Sequence, residues 1–319
     1  MEVFDTQLSF EEIALKIFRL QASNCEIYKH YLDLLKTPVD SVTSIASIPF
    51  LPISFFKSHT ILANEKSAEI VFKSSGTTGQ ENSHHHVADL NLYTKSFRKG
   101  FELFYGNPAN YRILALLPSY LEREGSSLVY MCEHLIKDSQ DPKSGFYLHN
   151  LDQLNAVLNE STKRKTLLIG VSYALLDLAE QFPQKLEDTI VMETGGMKGK
   201  RAEMTKQELH HELKTAFQIK NIHSEYGMTE LLSQAYSNGG GIFQTPPWMK
   251  IIIREPQDPL SLLPHGKTGG INIIDLANIH SCSFIATEDL GQTRDDNRFE
   301  LKGRFTQADI RGCNLLLEQ

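Results

Sequence analysis

Ile70-Val71-Phe72-Lys73-Ser74-Ser75-Gly76-Thr77-Thr78-Gly79-Gln80 is a short apolar run that leads straight into a loop of hydroxyl residues and glycines. Further apolar runs follow it: ILALL at 113–117, TLLIG at 166–170 and TIVME at 189–193. Helical patterns near 88–104, 126–137, 150–159 and 172–181 alternate with them. Runs bounded by turn signals and separated by amphipathic helices predict an α/β fold with a mainly parallel sheet covered on both faces. After Trp248 the pattern changes to strands alone (MKIIIRE, GGINIIDL, SFIATED, RFEL), joined by turns rich in Gly, Pro and Asp. That is the pattern of a C-terminal antiparallel β subdomain.

Upstream, Ser9-Phe10-Glu11-Glu12 is a capping box ahead of Ile13, Ile17 and Leu20 at helical spacing, so a helix starts there. A second helix is expected from about Cys25 to Leu35, and Pro49 and Pro52 force an extended stretch after it. A further capping box, Thr205-Lys206-Gln207-Glu208, opens a helix to about Phe217. The organisation expected is a helical preamble over 1–68, an α/β region over 69–245, a β-rich part over 246–302 and a short hinge and tail over 303–319.

The 319 residues carry 41% hydrophobic and 22% charged side chains, which excludes collagen-like, disordered and disulfide-scaffold classes. Thirty-two Lys and Arg against 39 Asp and Glu give a net charge of −7, so a nucleic acid is not the expected partner. The acidic start MEVFDTQLSFEEIALKIF does not resemble a secretory signal, and no run reaches the length of a membrane span, so a cytoplasmic location is expected. Cys25, Cys132, Cys282 and Cys313 are too scattered for a metal pair or a disulfide framework and are read as reduced thiols. Monomer and homo-oligomer both stay open.

In the loop after Phe72, Gly76 and Gly79 permit backbone shapes closed to other residues, while Ser74, Ser75, Thr77 and Thr78 can donate to phosphate oxygens beside the backbone N–H groups. No Gly-Lys-Ser/Thr follows, so it is not a Walker A loop. Taken alone, it also reads as a surface turn. A second segment, Ser224-Glu225-Tyr226-Gly227-Met228-Thr229-Glu230, follows a short strand-like run. It offers an aromatic face, a glycine, a hydroxyl and a carboxylate, groups suited to stacking on a base, bonding a phosphate and holding Mg²⁺ through oxygen.

In this order, the two segments resemble the adenylate-forming superfamily, whose members share a Ser/Thr/Gly-rich phosphate loop and a Tyr-Gly-x-Thr-Glu motif. Glu193-Thr194-Gly195-Gly196 looks like the family's adenine-binding segment, and Thr287-Glu288-Asp289-Leu290-Gly291 like the one whose aspartate holds the ribose hydroxyls. Gly303-Arg304 followed by Asp309 resembles its hinge. Phe50 to Lys57, Gly195-Gly196-Met197-Lys198-Gly199 and Asp309-Ile310-Arg311-Gly312-Cys313-Asn314 are similar to the LuxE-type acyl-protein synthetases, relatives of the phenylacetate-CoA ligases. The resemblance implies attack of a carboxylic acid, here a fatty acid, on the α-phosphate of ATP to give acyl-AMP and pyrophosphate. The acyl group then passes to a thiol.

On that resemblance Ser74, Ser75, Gly76, Thr77, Thr78, Gly79, Gly195, Gly196, Tyr226, Gly227, Thr229 and Asp289 bind the nucleotide, and Glu230 holds Mg²⁺. Lys73, Glu230, Arg304 and Cys313 carry chemistry, with Cys313 the thiol that accepts the acyl group and hands it to an acceptor protein such as an acyl-CoA-reductase-like subunit. Arg311 beside Cys313 favours the thiolate.

The sequence departs from the family in two places. Only 15 residues follow Arg304 and no lysine follows Lys302, so a full C-terminal lid with its catalytic lysine is not expected. Gln80-Glu81-Asn82 replaces the common Pro-Lys after the phosphate loop, which puts weight on Lys73, Lys198 and Lys200. His84-His85-His86 reads as an exposed loop. Ser172 lacks the final glycine of a nucleophile elbow, because Ala174 stands there, and is expected to begin a helix. Phe97, Phe101 and Phe104 read as core, as do Cys25, Cys132 and Cys282. The competing readings are a coenzyme A ligase of the phenylacetate type and a nucleotide- or acyl-binding module without turnover.

Overall fold

The structure, a computed structural model, describes residues 2–4, 7–63, 67–74, 82–118, 125–148, 150–197, 199–202, 204–295 and 297–305. The capping box at Ser9 forms as read: Glu12 N–H donates to Ser9 Oγ while Ser9 N–H donates to the Glu12 carboxylate, and helix α1 (Phe10–Asn24) follows. α1 buries Ile13, Ile17 and Phe18 and leads to α2 (Glu26–Leu34). Phe18 and Tyr28 pack on Phe284 at 6.1 and 6.2 Å between ring centroids, each burial worth about 1.5–3 kcal/mol. Gln21 adds polar specificity by donating to the carbonyls of Asn278 and Ile279 and accepting from Ser283 N–H. The extended stretch becomes β1 (Leu51–Pro52), and α3 (Phe55–Ser58) follows.

β2 (Ile70–Lys73) forms as expected but not where expected. It pairs antiparallel with β3 (His84–Val87), and the two make a separate hairpin rather than the first strand of the parallel sheet. The reason lies in β3: His84-His85-His86, read from sequence as an exposed loop, is a strand whose middle residue is fully buried. Alternation places Phe72 and His85 inward and Lys73, His84 and His86 on the opposite face.

α4 (Leu90–Tyr105) next contributes Tyr93, Phe97 and Phe101 to the core. Then come β4 (Tyr111–Leu116), α5 (Ser127–Ser139), β5 (Gly145–Phe146), α6 (Leu151–Leu158), β6 (Lys165–Val171), α7 (Ser172–Gln181), β7 (Thr189–Thr194), α8 (Lys206–Phe217) and β8 (His223–Tyr226). β5, β4, β6, β7 and β8 are neighbours in that order and run parallel. β4 is buried at every position and β6 at all but its first, the mark of strands covered on both faces.

The chain turns antiparallel at β9 (Ala235–Ser237) and β10 (Ile242–Gln244), earlier than the change of pattern at Trp248. β11 (Met249–Arg254), β12 (Leu262–Leu263), β13 (Thr268–Asp275), β14 (Phe284–Thr293) and β15 (Arg298–Arg304) complete the antiparallel part. β11 and β14 alternate buried and less buried positions, as strands with one solvated face do. β15 pairs with β10, so the antiparallel strands continue the parallel ones in one sheet of thirteen strands among the described residues, β1 joining it parallel to β14. No helix of the described residues is long and apolar enough to cross a membrane.

Candidate active site

β8 ends on Tyr226, whose ring packs edge-on against Phe243 and Phe299 at 5.9 and 5.5 Å. Its hydroxyl donates to Asp289 Oδ2 at 2.8 Å, and burial raises its pKa far enough to keep it a donor. Arg304 Nε donates to Asp289 Oδ1, also at 2.8 Å; the Asp289 charge raises the guanidinium pKa further. The aspartate is nearly buried while the Arg304 side chain is 74% exposed, so this bond opens to solvent. Asp289 N–H donates to Thr287 Oγ1 at 3.1 Å. Beneath it lies Arg254, donating to the carbonyls of Ile271 and Thr287 and to Asn272 Oδ1. Gly270 makes room for that guanidinium, since a Cβ there would stand 2.6 Å from Arg254 Cζ.

Glu230, four residues past the end of β8 in the Tyr-Gly-x-Thr-Glu segment, is buried and bonded to Ser83 at the start of the β3 arm. Burial raises its pKa, while Ser83 and the charges of Arg304 and Lys57 act against that. Thus Glu230 and the Asp289–Arg304 pair share one electrostatic neighbourhood. Ser83 also ties the ends of the hairpin arms together: its N–H donates to Ser74 Oγ at 2.8 Å, and Ser74 N–H donates to the Ser83 carbonyl at 3.0 Å. Ser74 Oγ–H stays available as a donor after accepting that bond. Lys73 is exposed and its N–H donates to the Gly125 carbonyl at 2.8 Å.

Gly195 and Gly196 lie exposed just past β7, Gly195 in the left-handed region at φ +66°, and a Cβ at Gly196 would meet nothing within 4 Å. This opening stands at the carboxyl end of parallel strands, where open α/β sheets take ligands. Ser172 starts α7 as expected, its hydroxyl donating to the Gly195 carbonyl at 3.3 Å. Below lie two buried carboxyls. Burial pushes Glu193 up, but Lys206, His210 and Ser224 outweigh it and hold the group ionised. Among the described residues Glu225 has one hydrogen-bond donor, Thr194 Oγ1 at 2.5 Å, and burial with the Glu193 charge pushes it up to about 7. Gly227 is explained by the same carboxyl, because a Cβ there would stand 2.5 Å from Glu225 Oε1.

Ser75, Gly76, Thr77, Thr78, Gly79, Lys198 and Cys313 lie outside the described residues. The fold brings together Ser74, Thr229, Glu230, Tyr226, Asp289 and Arg304 through the contacts above and through His85, whose Nδ1 is 2.9 Å from the Thr229 carbonyl. Among the described residues no three His, Cys, Asp or Glu side chains cluster to hold a metal. Glu230 as a lone carboxylate still fits Mg²⁺, which binds one or two carboxylates and completes its shell with phosphate and water.

Sequence reasoning missed the residues that hold the Tyr-Gly-x-Thr-Glu segment from below. Asp275 accepts from the N–H groups of Leu232 and Ser233 at 2.7 and 3.0 Å, and Asn278 donates to the Glu230 carbonyl at 2.9 Å. Both sit in Asp275-Leu276-Ala277-Asn278, which matches no motif. Cys25, Cys132 and Cys282 are buried small groups, as read. A cavity of about 600 Å³ lined by Phe10, Phe104, Gln244, Met249 and Lys250 includes none of the candidate residues.

No protein-family profile matches the chain. A stretch of 70 residues, 22% of this chain, is 39% identical to the long-chain-fatty-acid–luciferin-component ligase of Photorhabdus luminescens and covers 60% of that protein. Among solved structures, 2-hydroxyisobutyryl-CoA ligase in complex with 2-HIB-AMP and CoA, in an open conformation, superposes with a TM-score of 0.68 at 12% identity, covering 94% of this chain and 70% of that one. ATP-bound MatB from Rhodopseudomonas palustris gives 0.57 at 16% identity over 76% of this chain and 48% of its own. The matched part thus spans about half the length of MatB. The fold is that of the N-terminal domain of adenylate-forming ligases.

Proposed function

We propose that this chain activates a carboxylic acid with ATP. A carboxylate oxygen attacks the α-phosphorus, the bond from that phosphorus to the bridging oxygen breaks, and pyrophosphate leaves with the electron pair, giving acyl-AMP. The observation that carries this reading is the convergence of Tyr226 and Arg304 on the two oxygens of Asp289, within the electrostatic reach of Glu230, in a fold shared with ATP-using ligases. In this reading Asp289 holds the ribose, with the exposed Arg304 yielding its place, and Gly195, Gly196 and Tyr226 receive the adenine. Gly227 leaves room for Glu225 beneath this floor. Ser74 and the loop after it, with Ser75, Gly76, Thr77, Thr78 and Gly79, take the phosphates beside Lys73. Thr229 joins them. Glu230 would hold Mg²⁺, which when bound neutralises phosphate charge during transfer.

The second half-reaction in this reading moves the acyl group from the adenylate to a thiol, AMP leaving as the thioester forms. The likeness to the Photorhabdus ligase, whose name refers to long-chain fatty acids, favours a fatty acid and a protein thiol, with Cys313 as carrier. The longer structural match to 2-hydroxyisobutyryl-CoA ligase, solved with CoA, favours coenzyme A instead. The test is incubation with ATP, Mg²⁺ and a panel of acids, with acyl-AMP followed by mass spectrometry, before and after adding coenzyme A or a candidate acceptor protein. Consumption of the adenylate only when protein thiols are present supports the first version; acyl-CoA supports the second. No acyl-AMP with any acid would refute the reading.

A further inference from the structure

His85 lies on the β3 arm of the hairpin and is fully buried, its ring edge-on to Phe56 at 5.7 Å. Nδ1 stands 2.9 Å from the Thr229 carbonyl oxygen and Nε2 3.0 Å from Asn278 Oδ1. The Asn278 amide cannot be turned round. Its Nδ2 already donates to the carbonyls of Glu230 at 2.9 Å and Cys282 at 3.0 Å, and rotation would set Oδ1 against both. Both ring nitrogens therefore face acceptors. Burial pushes the ring down to about 4, so at neutral pH it has one N–H for two acceptors. One contact is a hydrogen bond and the other sets lone pair against lone pair.

The two contacts differ in what they join. A proton on Nε2 would add a third bond to Asn278, a side chain already anchored through its amide. A proton on Nδ1 ties the hairpin to the backbone of Thr229, the residue before Glu230. The same arm makes a second contact next to it, where Ser83 bonds the Glu230 carboxyl. Paired contacts of this kind, one on the backbone and one on the side chain, fix a loop in both position and orientation.

We propose that His85 is a positioning residue: as the Nδ1–H tautomer it clamps the Thr229 carbonyl to the hairpin and so sets where the Glu230 carboxylate stands relative to the arms from which the phosphate loop springs. Its kinetic consequence rests on the acyl-adenylate reading; the tautomer and the clamp do not.

Asparagine puts an amide nitrogen close to where Nδ1 stands, and glutamine close to where Nε2 stands, so His85→Asn and His85→Gln separate the two contacts. Three measurements on the full chain decide. In the ¹⁵N-resolved histidine spectrum, His85 should show its proton on Nδ1; a proton on Nε2 overturns the proposal. Hydrogen–deuterium exchange over 227–232 should rise in His85→Gln and stay near wild type in His85→Asn; equal behaviour overturns it. If wild type exchanges pyrophosphate, His85→Gln should lose about tenfold or more in kcat with a smaller change in KM for ATP, and His85→Asn should stay within about threefold. Equal losses in the two variants overturn the positioning role. Should either variant fail to fold, the wild-type spectrum alone decides. A wild type with no exchange on any acid refutes the acyl-adenylate reading, and the first two measurements still judge the clamp.

Discussion

The Tyr226 hydroxyl donates to Asp289 Oδ2 at 2.8 Å across 63 residues of sequence, and it leaves the other carboxylate oxygen to Arg304. The tyrosine bond is buried and fixes the aspartate; the arginine bond is half-buried, with its guanidinium toward solvent, and can be exchanged for a ligand. The guanidinium end of this pair lies in solvent, where screening leaves it little weight in stability, so Arg304 is free to serve binding.

Asp289→Asn should accordingly weaken AMP and ATP binding by about tenfold, the worth of a hydrogen bond to a charged group, while the melting temperature changes little. Calorimetry with AMP reads the first and a thermal melt the second. Unchanged affinity would remove Asp289 from the nucleotide site.

Glu230→Gln keeps the shape and removes the charge. Pyrophosphate exchange is expected to fall by about an order of magnitude or more, with the deficit largest at limiting Mg²⁺. A Mg²⁺ titration indistinguishable from wild type would place the metal elsewhere.

Glu225 carries a pH signature. Its folded pKa, pushed up to about 7 by burial, lies above the 4.5 of an unburied glutamate, so the folded state holds its proton longer. That contribution to stability is fully present below pH 4.5 and is lost as pH rises through about 7. Wild type should lose stability between pH 5 and 8.5, and Glu225→Gln should be more stable than wild type at pH 8.5 by about 1–3 kcal/mol. Urea unfolding at the two pH values measures it, and parallel curves for the two proteins would show that Glu225 is ionised throughout.

Much of this was legible because the local signals agreed with the tertiary ones. The boxes at Ser9 and Thr205 cap the helices they announce, and the runs at 113–117, 166–170 and 189–193 are the buried parallel strands. The hairpin was not legible. Ile70-Val71-Phe72 looks like any sheet strand, and the pairing with His84-His85-His86 depends on a buried histidine whose partners lie 144 and 193 residues away. Asp275, Asn278 and Arg254 escaped for the same reason, since each works by bonding backbone groups, which leave no side-chain motif to read. Antiparallel pairing at Ala235 was hidden because β9 and β10 are only three residues each.

The glycine of the Tyr-Gly-x-Thr-Glu segment makes a further prediction. Gly227→Ala presses a methyl onto the Glu225 carboxyl, which Thr194 holds in place, and should destabilise the fold by about 1–3 kcal/mol. Glu225→Ala in the same chain should relieve that clash, so the double variant should be more stable than the sum of the two single effects. Simple additivity in thermal melts would show that the carboxyl is not the obstacle.

Adenylation is read out by acid-dependent exchange of labelled pyrophosphate into ATP by the full chain with Mg²⁺. Exchange should require a carboxylic acid, be greatest with the preferred one, and fall by about tenfold or more in Glu230→Gln. ATP that binds, as calorimetry would show, yet acquires no label with any fatty, aromatic or short-chain acid would contradict it.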